Sequence, residues 1–275
     1  MRAGYPRESA GGREPRAEKK SLRNLRIHFG EFVEIEGKVA LVTGAARRVG
    51  RSIALALAER GAELIIHYHT SDQEAQEVLA LIKRGGGKPV AARGDVSVAA
   101  DVDRIVETAL QAFGRVEILV NSAAIFYRTP FGRLMEADWD RFLGVNLKGP
   151  YLLSRKIGEI MLRQGRGKII NLADIAWEKA WGEYIPYTVS KAGLVALTRG
   201  LARALAPVVQ VNAVAPGAVL LPEGSTEEER ERAIHRIPLQ RLGSPEDVAR
   251  AVVYLIENDF ITGEVLTVDG GQQLA

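Results

Sequence analysis

The sequence predicts an α/β fold: a doubly wound parallel sheet of seven strands forming a single domain behind an N-terminal tail. Three observations carry this. Short apolar runs rich in β-branched residues alternate with longer helical patterns from Lys38 onward, the rhythm of parallel strands joined by crossover helices. A glycine-bearing turn follows the first run directly and opens a helix. Between residues 38 and 275 no internal repeat, Pro-rich linker or change of composition marks a second domain. A hydrophobic share of 47% in 275 residues suffices for one substantial core.

The strands are predicted in order at 39–43, 64–66, 90–92, 118–121, 168–172, 209–212 and 265–268. Residues 220–240 break the rhythm. There Pro222, Gly224 and Ser225 give way to Glu227, Glu228 and Glu229, and Thr226 has the character of a helix N-cap. Such an insertion after a late strand reads either as a lid over a ligand or as an ordinary surface helix.

Residues 1–36 are expected to form a disordered extension and 37–275 the folded domain. Residues 1–30 hold eight Lys/Arg against three Glu, so +5 of the total +3 lies there and the remainder carries −2. The basic balance therefore belongs to the tail, read as a solvated extension or an over-extended translation start, with a nucleic-acid arm as the weaker alternative. A chain starting near Ile35 is expected to fold and bind cofactor normally, because no motif residue precedes Lys38. The chain has no cysteine, which excludes disulfides, thiolate nucleophiles and Cys-ligated metals. His28, His67, His69 and His235 show no ligand spacing, so no metal is expected. Without a membrane-length apolar run or a secretory signal, the expected setting is cytoplasmic, with no membrane or nucleic-acid partner.

The turn reads Thr43-Gly44-Ala45-Ala46-Arg47-Arg48-Val49-Gly50, with Arg48 where such a turn carries its central glycine. Glycine lets the backbone approach a pyrophosphate, whose charge is stabilised by free N–H groups at the following helix N-terminus. A tight loop without a ligand is the plain alternative. In a Rossmann-type fold, an acid at the end of the second strand binds the ribose hydroxyls of NAD. Here that stretch is His67-Tyr68-His69-Thr70-Ser71, with no acid before Asp72. Arg47 and Arg48 would attract a 2′-phosphate, so the expected cofactor is NADPH/NADP. Asp95 and Val96 are expected at the adenine, and Asn121, Ser122 and Ala123 along the rest of the cofactor.

Tyr187 and Lys191 stand at i and i+4, on one face of an apolar helix. The ammonium can lower the phenol's pKa and hold the nicotinamide ribose while the tyrosine passes a proton. Their company is Asn121, Asn146 in Gly144-Val145-Asn146-Leu147, Pro216-Gly217, and Ile261-Thr262-Gly263 before Val268-Asp269-Gly270-Gly271. In order and spacing these motifs resemble the short-chain dehydrogenase/reductase superfamily over residues 38–275. The resemblance implies Tyr187 as proton donor, Lys191 as its partner, Asn146 in a proton relay, and Pro216 and Gly217 at the cofactor. It also implies a homotetramer or dimer packed through the helices preceding Arg163 and following Tyr187, where Val195, Leu197 and Leu201 look surplus to one sheet face.

Within that superfamily the chain looks most like the pteridine reductases. Arg48 in the turn, and His67-Tyr68-His69 with Ser71 as a 2′-phosphate pocket, resemble that family. Phe126-Tyr127 with Thr129-Pro130 is similar to the segment whose phenylalanine sandwiches the pterin against the nicotinamide. Asp174, thirteen residues before Tyr187 and followed by Tyr184, matches the family's catalytic aspartate and tyrosines, and Trp177 and Trp181 join the substrate segment. A carbonyl reductase carries serine at that place. Serine can donate to a carbonyl, whereas an ionised carboxylate only accepts, which suits an aminopterin's N–H groups and holds the Tyr187 proton by raising its pKa. A flat ring gains by stacking on Phe126. The plain alternatives are Phe126 as a core aromatic and Asp174 as a turn cap.

The expected function is NADPH-dependent reduction of a ring C=N bond in a dihydropterin or dihydrofolate. The alternatives are a ketoreductase acting on a carbonyl such as a 3-oxoacyl thioester, and a non-catalytic NADP(H)-binding regulator, against which Tyr187 and Lys191 speak.

Overall fold

The computed structural model describes residues 34–179, 181–221 and 224–275; the expected tail falls outside these except for its last three residues. The strands are β1 (Val39–Val42), β2 (Glu63–Tyr68), β3 (Val90–Arg93), β4 (Ile118–Asn121), β5 (Gly167–Leu172), β6 (Val209–Pro216) and β7 (Val265–Val268). They form one seven-stranded sheet in the order β3-β2-β1-β4-β5-β6-β7, every pairing parallel. Each predicted strand is present, with β6 running on to Pro216. The chain steps outward from β1 to β3 and then returns to place β4 beside β1. This reversal opens a crevice at the carboxyl ends of the strands, where ligands of such sheets bind.

Among the described residues eight helices join the strands: α1 (Arg48–Ala58), α2 (Asp72–Arg84), α3 (Ala99–Phe113), α4 (Glu136–Leu143), α5 (Gly149–Gln164), α6 (Ile185–Leu205), α7 (Glu227–His235) and α8 (Pro245–Glu257). Strands β1, β4 and β5 are buried at every position, as a sheet covered on both faces requires. Side chains alternate across it. Ala40, Val42, Ile66 and Val120 pack with Ile53 and Leu57 of α1 and Val252 of α8. Val39, Leu41, Ile65 and Leu119 pack on the other face with Ile105 of α3 and Ile157 of α5. Ile35 is only 3% exposed and belongs to the first of these cores, and its carbonyl accepts the Lys38 N–H at 3.0 Å. A truncated chain must therefore keep it.

Helix α6 corrects one sequence expectation. Val195 is consumed against Ala173, Ala213 and Ala215, so it is not surplus, while Leu201, packed on the second core, and Leu197 are both only partly buried. In the 220–240 segment, Thr226 caps α7 as expected: its Oγ1 accepts the Glu229 N–H at 3.2 Å and Glu229 Oε2 accepts the Thr226 N–H at 2.9 Å. Helix α7 itself buries no residue. Among the described residues no helix is long and apolar enough to cross a membrane.

Candidate active site

The phosphate-binding turn is built by close backbone packing. Gly44 takes φ +64°, and a Cβ on Gly50 would collide with the Gly44 carbonyl oxygen. Arg48 takes φ +53°, the left-handed conformation that explains why glycine is usual at this place. Its guanidinium donates to the Leu220 carbonyl at 3.2 Å, tying the turn to the loop after β6.

His67 departs from its expected role as a phosphate ligand. Its Nδ1 accepts the Gly44 N–H at 3.2 Å and its Nε2–H donates to the Gly94 carbonyl at 3.0 Å. With both nitrogens committed, burial pushes its pKa down to about 4, so the ring is a neutral clamp between the turn and the end of β3. Because the folded value lies below the unfolded 6.5, this contribution to stability is complete above pH 6.5 and is lost as pH falls toward 4. The loss is roughly 3 kcal/mol at about 1.4 kcal/mol per pH unit. Urea unfolding at stepped pH is expected to show this slope, and His67→Asn to remove that share of it.

A cavity of about 770 Å³ runs along the carboxyl ends of the strands. The β1–α1 turn contributes Gly44, Arg47, Arg48, Val49 and Gly50, and the end of β2 contributes His67, Tyr68, His69 and Ser71. Asp95 and Val96 enter after β3, Ala123 and Phe126 after β4, Asp174 and Trp181 after β5, Tyr187 from α6, and Pro216 and Gly217 at the end of β6. Ser71 precedes α2 but makes no capping bond with its side chain. Arg47 meets Glu74 at 3.6 Å across a solvent-exposed pair, while Asp72 is turned to Arg93 at 3.6 Å. Asp95 Oδ1 is engaged by the Ser97 N–H and hydroxyl at 2.8 and 2.7 Å.

Both oxygens of the Asp174 carboxylate are engaged. Oδ1 accepts the Ala176 N–H at 2.8 Å and caps a short 3₁₀ turn, Ile175–Trp177, while Oδ2 accepts the Tyr187 hydroxyl at 2.7 Å. Burial raises the Asp174 pKa above the usual 3.8, against the Ala176 and Tyr187 hydrogen bonds and the charge of Lys191. Burial first, and then the Asp174 carboxylate, hold the Tyr187 phenol well above 10. Lys191 does not lower it as expected: its Nζ donates to the Leu172 carbonyl at 2.6 Å and stands 5.7 Å from the Tyr187 ring centre. Burial brings the ammonium's own pKa down to about 8.

Asn146 sits in a π-helical turn, Gly144–Lys148, a distortion common at functional sites. Its side chain holds both backbone groups of Ile125, at 2.9 and 3.1 Å, and donates to Ser190 Oγ at 3.2 Å. It thus braces the wall and makes no direct hydrogen bond to Lys191. Asn121 does not line the cavity as expected. It is 2% exposed and donates to Ser154 Oγ at 3.1 Å and Asn171 Oδ1 at 2.8 Å, cross-linking β4 and β5. Phe126 is 47% exposed, so it is no core aromatic; Tyr184 stacks flat on it at 4.8 Å and Tyr187 meets its edge at 4.8 Å. Trp181 lies 6.4 Å from Tyr187 with nearly parallel rings. Leu220 and Leu221, from the segment read as lid or surface helix, also line the cavity, and Ile125, Arg141 and Gln272, which line it too, were missed in the sequence. Only Gln272 had a signal there, following Asp269-Gly270-Gly271.

The switch-point crevice, the tight turn that Gly44 and Gly50 permit, and the helix N-terminus behind it fit a nicotinamide dinucleotide. Together with the buried Tyr187–Lys191 pair they define an oxidoreductase of the short-chain dehydrogenase/reductase type. The family model described as "Enoyl-(Acyl carrier protein) reductase" matches residues 44–273, and the chain belongs to that family. It is 37% identical over 242 residues to a "3-oxoacyl-[acyl-carrier-protein] reductase" of Synechocystis sp., covering 86% of this chain and 97% of that protein. It is 37% identical over 248 residues to a "(2S)-[(R)-hydroxy(phenyl)methyl]succinyl-CoA dehydrogenase subunit" of Thauera aromatica, covering 87% and 98%. A solved structure of a putative gluconate dehydrogenase from Agrobacterium tumefaciens superposes with a TM-score of 0.83 at 31% identity, covering 88% and 98%.

Proposed function

We propose that the protein is an NADPH-dependent reductase of a flat nitrogen heterocycle of the dihydropterin or dihydrofolate class. The observation that carries this is the Asp174 carboxylate receiving the Tyr187 hydroxyl at 2.7 Å, where carbonyl reduction calls for a donor. Arg47, His69 and Ser71 would hold the 2′-phosphate, the Gly44–Gly50 turn the pyrophosphate and Lys191 the nicotinamide ribose. When bound, the cofactor supplies a hydride to the carbon of the substrate's C=N bond. The chain's residues do the rest. Phe126, backed by Tyr184, offers a face to the ring; Asp174 accepts from its N–H groups; and Tyr187 delivers the proton that the ring nitrogen takes up, recovering it from solvent. Assembly as a dimer or tetramer belongs to this reading, and sedimentation at micromolar protein checks it.

A second reading is favoured by the relatives, which include a 3-oxoacyl thioester reductase and no pteridine reductase among those named above. NADPH consumption with dihydrobiopterin against acetoacetyl-CoA separates the two, and NADPH binding without turnover of either would favour a regulator.

A further inference from the structure

The two loops that flank the cavity, after β5 and after β6, are held by a third element that the proposed chemistry does not use. Residues 269–275 follow β7 and are folded back by Asp269, whose Oδ1 accepts the Gly271 N–H at 2.8 Å and Oδ2 the Gln273 N–H at 2.7 Å. The turn so formed, Gln272–Leu274, reaches in two directions. Toward the β5–α6 loop, Lys179 Nζ donates to the carbonyls of Gln272 and Ala275, both at 2.8 Å, and the Gln273 amide donates to Glu178. Toward the β6 loop, Gln272 Oε1 accepts the Ala218 N–H at 2.9 Å while its side chain lines the cavity. Gly217 permits that approach, because a Cβ there would stand 2.7 Å from Gln272 Oε1 and from the Asp269 Cβ.

We propose that Lys179 and Gln272 are positioning residues which, through segment 269–275, join the Asp174-bearing loop and the Ala218-bearing loop into one wall. Surface loops held only by their ends open locally and independently. Hydrogen bonds from an ammonium are of the stronger kind, and the two that Lys179 makes fix the loop carrying Asp174 to the turn that also holds Ala218. No hydrogen bond links segment 269–275 directly to the Gly44–Gly50 turn or to Ser71 among the described residues; its route to that turn runs through the Ala218-bearing loop, whose Leu220 carbonyl accepts from Arg48.

The test is hydrogen exchange and kinetics on Lys179→Met and Gln272→Met. Each variant is expected to speed exchange in both loops, 174–184 and 216–221, although each substitution touches that wall on one side. In Lys179→Met the substrate KM should rise about tenfold, the scale of one hydrogen bond to a charged group, with kcat nearly unchanged. Lys179→Arg, which keeps the donors, should restore both readouts. The kinetics use whichever of dihydrobiopterin and acetoacetyl-CoA the unmodified enzyme reduces, and the exchange arm needs no substrate, so failure of the substrate assignment leaves this test intact. Faster exchange confined to the substituted side, or a lower melting temperature with exchange in both loops and KM unchanged, would overturn the proposal.

Discussion

Asp174→Asn is expected to lose about 10²- to 10⁴-fold in dihydropterin turnover, the usual contribution of a general acid–base group, while NADPH affinity holds and the melting temperature does not fall. Asparagine keeps an oxygen for the Ala176 N–H, so the 3₁₀ turn stays capped. It removes the charge. Because the folded Asp174 pKa is raised above 3.8, its stabilising contribution is present below that value and is lost as pH rises through the folded one. Wherever the carboxylate is ionised it therefore costs stability, and the amide is relieved of that cost. If capping were the residue's whole role, Asp174→Asn would turn over normally, and Asp174→Ala would merely be less stable by about 1 kcal/mol. Melting temperature and dihydropterin-dependent NADPH oxidation on the same preparations distinguish these outcomes.

Arg47→Ala is expected to weaken NADPH binding by about 1.5–3 kcal/mol, roughly 10- to 150-fold, and to leave NADH binding where it was. Arg47 lines the cavity with Ser71, and its one acidic partner, Glu74, is a solvent-exposed pair of little strength. Arg48, which the sequence grouped with it, is turned onto Leu220. Arg48→Gly should accordingly affect both cofactors alike and, at φ +53°, relieve backbone strain. Titration of tryptophan fluorescence with each nucleotide provides the check, and equal affinities in the unmodified protein would remove the phosphate pocket altogether.

The fold was legible because its signals are local and redundant. Each buried strand is a short β-branched run, and Gly44 and Gly50 mark a turn whose packing leaves no space for side chains. The pairing of Asp174 with Tyr187 was legible through the resemblance, which matched these positions to a family's catalytic aspartate and tyrosine. Orientation was not. Nothing in the order of residues says that His67 spends both nitrogens on backbone, that Asn121 turns into the sheet, or that Lys191 points at the Leu172 carbonyl. The contacts of Lys179 and Gln272 join positions 93 residues apart and have no periodic signature. Val195 failed for a related reason: an apolar helix face does not reveal whether its neighbour is the chain's own strand or another molecule.

The central claim is that a carboxylate at Asp174 selects a substrate offering N–H donors. The most direct measurement compares kcat/KM for dihydrobiopterin and for acetoacetyl-CoA, with NADPH, in the unmodified enzyme and in Asp174→Ser. The claim requires the unmodified enzyme to prefer the pterin and the serine variant to lose it, with any gain appearing on the thioester. An unmodified enzyme that reduces acetoacetyl-CoA and ignores dihydrobiopterin would contradict it.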